Sequence, residues 1–116
     1  MHTKCLVTGL LALATTSAFA LTAPPFTQAV SPDTYPTLPV VMRQGYVAGV
    51  MDVDRSVLDY TKGMFSACLK GVTLAQATEI VDRGIAQLEP VERNTAPTMV
   101  HNALLHDCLR RGFKVE

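Results

Sequence analysis

Apolar side chains recur at steps of four and three along the middle of this chain: Met42, Tyr46, Val50, Val53, Val57, Tyr60, Met64 and Cys68. That spacing places them along one stripe of a helix and excludes a strand, whose side-chain period is two. Asp52 and Asp54 fall within the pattern and are able to cap a fresh helix start, so the stretch reads as one bent helix or two in succession. Gly45 and Gly49 flank Tyr46-Val47-Ala48 and form a small-residue notch where another helix can approach closely. In a chain that does not span a membrane, packing in the core is the expected use of Gly45, Tyr46 and Gly49.

Lys70-Gly71 interrupts the pattern, with glycine suited to the left-handed position after a helix. Thr73 and Gln76 then have the spacing of a capping box, the hydroxyl serving the amide of Gln76 and the Gln76 side chain reaching back. Leu74, Ala77, Val81, Ile85 and Leu88 form the apolar stripe of the helix that follows, and Thr78, Glu79, Asp82, Arg83 and Gln87 its wet side. Pro90 closes it, and Glu89 to Pro97 read as a connecting loop. A last helix starts at Ala96 or Pro97, turns Val100, Ala103, Leu104 and Cys108 inward, carries Arg110 and Arg111 in its final turn, and stops at Gly112. No alternating run and no hairpin turn signal is present. The expected fold is all-α, a small bundle of three to four helices over residues 40–116.

The chain opens with a short basic start, an apolar run from Cys5 to Ala14, and Ala18-Phe19-Ala20. This is the layout of a secretory signal peptide, residues 1–20, cut after Ala20. The run is too short to span a bilayer, so no membrane anchor is expected. Residues 21–39 hold five of the seven prolines and read as a Pro-rich extended arm, either a plain tether or a segment that packs on the body or on a partner. Cys5 leaves with the leader, so Cys68 and Cys108 remain, each near the end of a helix. An oxidising compartment makes a disulfide between them the expected state, against two buried free thiols.

Charge and motif searches remove several classes of activity. Without the leader, nine basic residues stand against ten acidic ones, a net charge of about −1, and Arg110-Arg111 is the sole adjacent basic pair; no nucleic-acid partner is indicated. His101 and Cys108 are two helical turns apart, about 10 Å of rise, too far for proton transfer. His101 and His106 differ by five residues, a spacing that turns the two imidazoles away from a common metal, so both read as solvent-facing or edge residues. Asp52, Asp54 and Asp59 lack the glycine and the closing glutamate of a calcium loop and read as solvated carboxylates. Neither a nucleophile elbow nor a phosphate-cradling loop occurs. The expectation is a non-enzyme without cofactor or metal, and its most plausible contact surface is the charged tip Glu89, Glu92, Arg93 and Asn94.

One resemblance runs along the helical part. Gly45-Tyr46-Val47-Ala48-Gly49-Val50-Met51-Asp52, then Cys68, then Gly71-Val72-Thr73-Leu74-Ala75-Gln76, a helix ending before Pro90, Ala96-Pro97, Ala103-Leu104 and finally Cys108 follow one another in an order similar to the Rap/Tai family of immunity proteins associated with bacterial type VI secretion. The chain departs from that pattern at Leu69-Lys70 and at His106-Asp107. The resemblance implies a periplasmic immunity protein that binds an incoming effector, typically a peptidoglycan-cleaving amidase, and occludes its active site. It also implies a possible homodimer, with the Gly45/Gly49 notch a candidate surface. A different class, a small periplasmic stress or acid-response chaperone, shares the short, helical, exported, single-disulfide design.

Overall fold

The structure is a computed structural model that describes residues 30–115. The signal peptide and the first part of the Pro-rich arm lie outside the described residues. Four α-helices follow in order: α1, Val40–Ser56; α2, Lys62–Cys68; α3, Leu74–Gly84; α4, Ala96–Arg110. No strand occurs among the described residues, so the fold is the all-α bundle expected.

The helix ends follow local chemistry. Pro39, with no amide to leave unpaired, stands just ahead of α1. Thr73 and Gln76 form the capping box at the start of α3, with Thr73 Oγ1 accepting from the Gln76 amide at 3.1 Å and Gln76 Oε1 accepting from the Thr73 amide at 2.9 Å. Thr95 caps α4 through the Thr98 amide, and Pro97 occupies its first turn. Gly71 and Gly112, after α2 and α4, have φ of 76° and 92°, a conformation that costs a side-chain-bearing residue about 1–2 kcal/mol. α3 ends at Gly84, earlier than Pro90 suggests, and residues Ile85–Gln87 tighten into a 3-10 turn that brings Leu88 back into the core.

α1 and α2 are separate helices. The chain leaves α1 after Ser56 and turns through Leu58 to Thr61 before α2 begins, so Asp52 and Asp54 lie inside α1 and cap nothing. The face of α1 also differs from the expected stripe. Val47, Met51 and Asp54 are buried, whereas Met42, Val53, Val57 and Tyr60 are all more than two-fifths exposed. The reason lies in α1 itself: Val40, Val41, Met42, Tyr46, Val47, Val50, Met51 and Val53 make it apolar over most of its circumference, so its period permits two adjacent faces. α1 packs against α2, α3 and α4, and the chosen face is the one buried among them.

Phe65 of α2, Val81 of α3 and Met99, Val100 and Leu104 of α4 complete the core with Val47 and Met51. Burial of each of the larger side chains contributes about 1.5–3 kcal/mol. α3 and α4 pack tightly where Gly84 faces Ala103; a Cβ at residue 84 would stand 3.2 Å from the Ala103 Cβ. Thr78 also faces inward, not to water, and donates its hydroxyl to the Leu74 carbonyl at 2.8 Å. Cys68 and Cys108, both buried, are bonded with Cα atoms 5.7 Å apart. Arg111 covers this disulfide, donating to the Cys68 carbonyl at 3.3 Å and to its sulfur at 2.6 Å.

The described half of the arm packs on the body instead of extending away from it. Residues Tyr35–Thr37 form a 3-10 turn, and the fully buried Tyr35 ring meets Tyr46 edge-on at 5.8 Å. Its hydroxyl donates to Asp82 on α3 at 3.1 Å, and Arg43 on α1 reaches the same carboxylate at 3.3 Å. Burial, and then the Asp82 charge, raise the Tyr35 phenol well above its usual range, so it remains a donor.

Candidate partner-binding site

The tip between α3 and α4 is built by its own residues and by α4. Pro90–Arg93 form a 3-10 turn opened by Glu89, whose amide donates to the Glu92 carboxylate at 3.2 Å. Glu92 is then fastened a second and third time: His106 on α4 bonds its other carboxylate oxygen, and Asn102 donates to its backbone carbonyl at 2.9 Å. The bond from the Glu89 amide, followed by that to His106, lowers the Glu92 carboxyl below its ordinary value. Glu92 is therefore engaged within the fold. Glu89, Arg93 and Asn94 point to solvent beside Val91, which is 76% exposed at the apex. Sequence reasoning placed four residues at this tip; the structure keeps three outward, turns the fourth inward, and adds Val91.

A second feature runs along α1. Gly45, Tyr46, Gly49, Val50 and Val53, with Leu58 after the helix and Pro97 at the start of α4, line a groove of about 490 Å³. A Cβ added at Gly45 or Gly49 would meet no atom within 4 Å, so within the described chain no helix lies on this notch. Pro97 ties the groove to the tip, being three residues beyond Asn94. The exposed Met42, Val53 and Val57 extend the apolar surface along α1.

Asp54 is among the residues around this groove and is 1% exposed. One carboxylate oxygen, Oδ1, bonds His101 Nδ1 on α4 at 2.7 Å, and the His101 ring stacks edge-on with Phe65 at 5.4 Å. The second oxygen, Oδ2, has no partner among the described residues, nor has the hydroxyl of the buried Thr61. Neither Asp54 nor His101 is the solvated or edge residue that spacing along the sequence suggested. Asp54 and His101 are 47 positions apart, and no local pattern links them; the only clue is an aspartate among the apolar residues of α1.

Among the described residues no group of three or more His, Cys, Asp or Glu side chains is placed to hold a metal ion, and no helix is long and apolar enough to cross a membrane. Comparison with family models, curated proteins and solved structures returned no match. A tip held through Glu92 and, among the described residues, an uncovered apolar groove lie on either side of Pro97.

Proposed function

We propose that this chain is an immunity-type binding protein that acts in the periplasm, where it occludes the active-site cleft of a type VI secreted peptidoglycan amidase. The observation that carries this reading is the tip at residues 89–94: a turn held by three bonds through Glu92, with Val91 and Arg93 left outside. A binder that acts by blockage needs no bond-breaking chemistry. It needs a protrusion whose ordering cost is met before contact, since each rotamer-rich side chain immobilised on binding costs about 0.5–1.5 kcal/mol. The fixed turn and the cross-linked helices supply that condition, and the likeness in sequence order to the Rap/Tai proteins supplies the class of target.

The test begins with a pull-down from periplasmic extract, followed by co-expression with the amidase recovered. The wild-type chain is expected to restore growth when the amidase is sent to the periplasm. A Val91→Asp, Arg93→Glu double variant is expected to lose the rescue and at least about tenfold in affinity, because anchors buried at an interface carry most of its energy. Its thermal stability should stay near that of the wild type, both side chains being exposed. Absence of binding, or rescue by the double variant, would overturn the reading.

A second reading, a small stress or acid-response chaperone, is favoured by the exposed Val40, Val41, Met42, Val53, Val57 and Tyr60. It predicts suppression of client aggregation that increases on acidification, with enhanced binding of an apolar dye. An immunity protein has no need of either.

A further inference from the structure

We infer that the α1 groove is the seat of the chain's own N-terminal arm, with residues 21–29 laid along Gly45, Gly49 and Val53 and the Phe26 ring as the anchor. These residues precede the described part of the chain. The contact goes beyond the amidase reading, which concerns the tip alone. Tyr46, Val50, Val53, Leu58 and Pro97 give the groove apolar walls, and Gly45 and Gly49 present no side chain. Asp54, the one charged residue among the lining, is 1% exposed and bonded to His101, so the groove offers an occupant no charge. An uncharged, apolar and slender segment fits those terms.

Leu21-Thr22-Ala23-Pro24-Pro25-Phe26-Thr27-Gln28-Ala29 is such a segment, with no charged side chain. Adjacent prolines favour the polyproline conformation, which loses little entropy on docking and is commonly received by grooves with an aromatic wall. The described half of the arm runs beside the groove. Its Tyr35 ring meets Tyr46, a groove wall, at 5.8 Å. Pro32 shares a hollow with Met99, two residues beyond Pro97, and Val30, the first described residue, is partly buried against the core. Phe26 precedes Val30 by four residues, a reach of about 13 Å, and α1 from Gly45 to Val53 rises by about 12 Å. A segment tethered this closely acts at an effective concentration in the millimolar range. A second copy of the chain would instead lose its translational and rotational freedom on docking. With the arm in place the groove is closed within one chain, and the tip is the face left to a partner.

The test uses the mature chain beginning at Leu21, isotopically labelled, in NMR at several protein concentrations. Nuclear Overhauser contacts are expected from the Phe26 ring to Gly45, Gly49 and the Val53 methyls, unchanged by dilution. Phe26→Ser should abolish them and let an apolar dye bind about tenfold more tightly, since burial of a phenylalanine ring separates closed from open forms by at least that factor. Gly49→Leu fills the open space from the α1 side; it should remove the same contacts while helical circular dichroism is retained. Absence of the contacts in the wild type, contacts from Phe26 to another surface, or equal dye binding by the wild type and Phe26→Ser would overturn the inference. So would groove contacts between differently labelled chains in a mixed sample, which would mean that a second copy occupies it. Growth rescue against the amidase reads the tip separately, so failure of the rescue discards the amidase target and leaves the arm contacts standing, and failure of the contacts discards the arm alone.

Discussion

At the scale of single residues, two carboxylates fix the behaviour of the candidate site. Among the described residues Asp54 has His101 as its one partner, and removing one member of a buried pair leaves the other uncompensated. His101→Ala is therefore expected to cost about 3 kcal/mol in urea unfolding. An Asp54→Leu, His101→Leu double variant should recover much of that loss, because it removes both polar groups together. Glu92 behaves differently. Its carboxyl is lowered by the Glu89 amide and then by His106, so the folded state favours the ionised form. The stabilisation is complete above the ordinary carboxyl value and disappears as the pH falls through the lower folded value. Hydrogen exchange at the Glu89 amide should accordingly lose protection, relative to the rest of the fold, only once the pH falls below the ordinary carboxyl range, and Glu92→Gln should remove that pH dependence. Neither pairing is visible along the chain, since each depends on which helix faces lie together.

At the scale of elements, glycines separate open from closed helix surfaces. Gly49 faces empty space, and alanine there relieves the backbone entropy cost of glycine without a clash, so Gly49→Ala should raise stability by about 0.5–1 kcal/mol. Gly84 faces Ala103 at contact distance, and Gly84→Val should lower stability by about 2 kcal/mol through overpacking. Thermal melts of the two variants should thus move in opposite directions. Helix positions were legible in the sequence because caps and breakers act locally: Thr73 with Gln76, Pro97 in a first turn, and the glycines at 71 and 112 each mark a boundary. The buried face of α3 was largely legible, as Ala77 and Val81 are flanked by Glu79, Asp82 and Arg83. That of α1 was not. With apolar residues over more than half of its circumference, its periodicity fits two faces, and Asp54 argued against the one that is buried. The exposed stripe on α1 is thus also the part of the candidate site that periodicity assigned to the interior.

At the scale of the whole molecule, the disulfide is the largest single constraint. Cys68 and Cys108 are 40 residues apart, and closing a loop of that length restricts the unfolded chain by about 4 kcal/mol. Reduction, or a Cys68→Ala, Cys108→Ala variant, should lower the unfolding free energy by that order, and mass spectrometry without reductant should give a mass two hydrogens below the reduced form. The bond joins the C-terminal ends of α2 and α4, whereas the tip and the groove meet at the N-terminal end of α4. Fifteen residues of α4 separate the two by about 20 Å.

On the partner-binding reading proposed above, that polarity separates a handle from a working end. A tether attached beyond Phe113 would leave the chain on the cystine side, under Arg111, and hold the opposite end clear for capture. Immobilisation through residues preceding Tyr35 would instead anchor the chain next to Tyr46 and crowd the groove it borders. The same partner offered to the two orientations on a sensor surface should therefore be retained by the first and screened by the second.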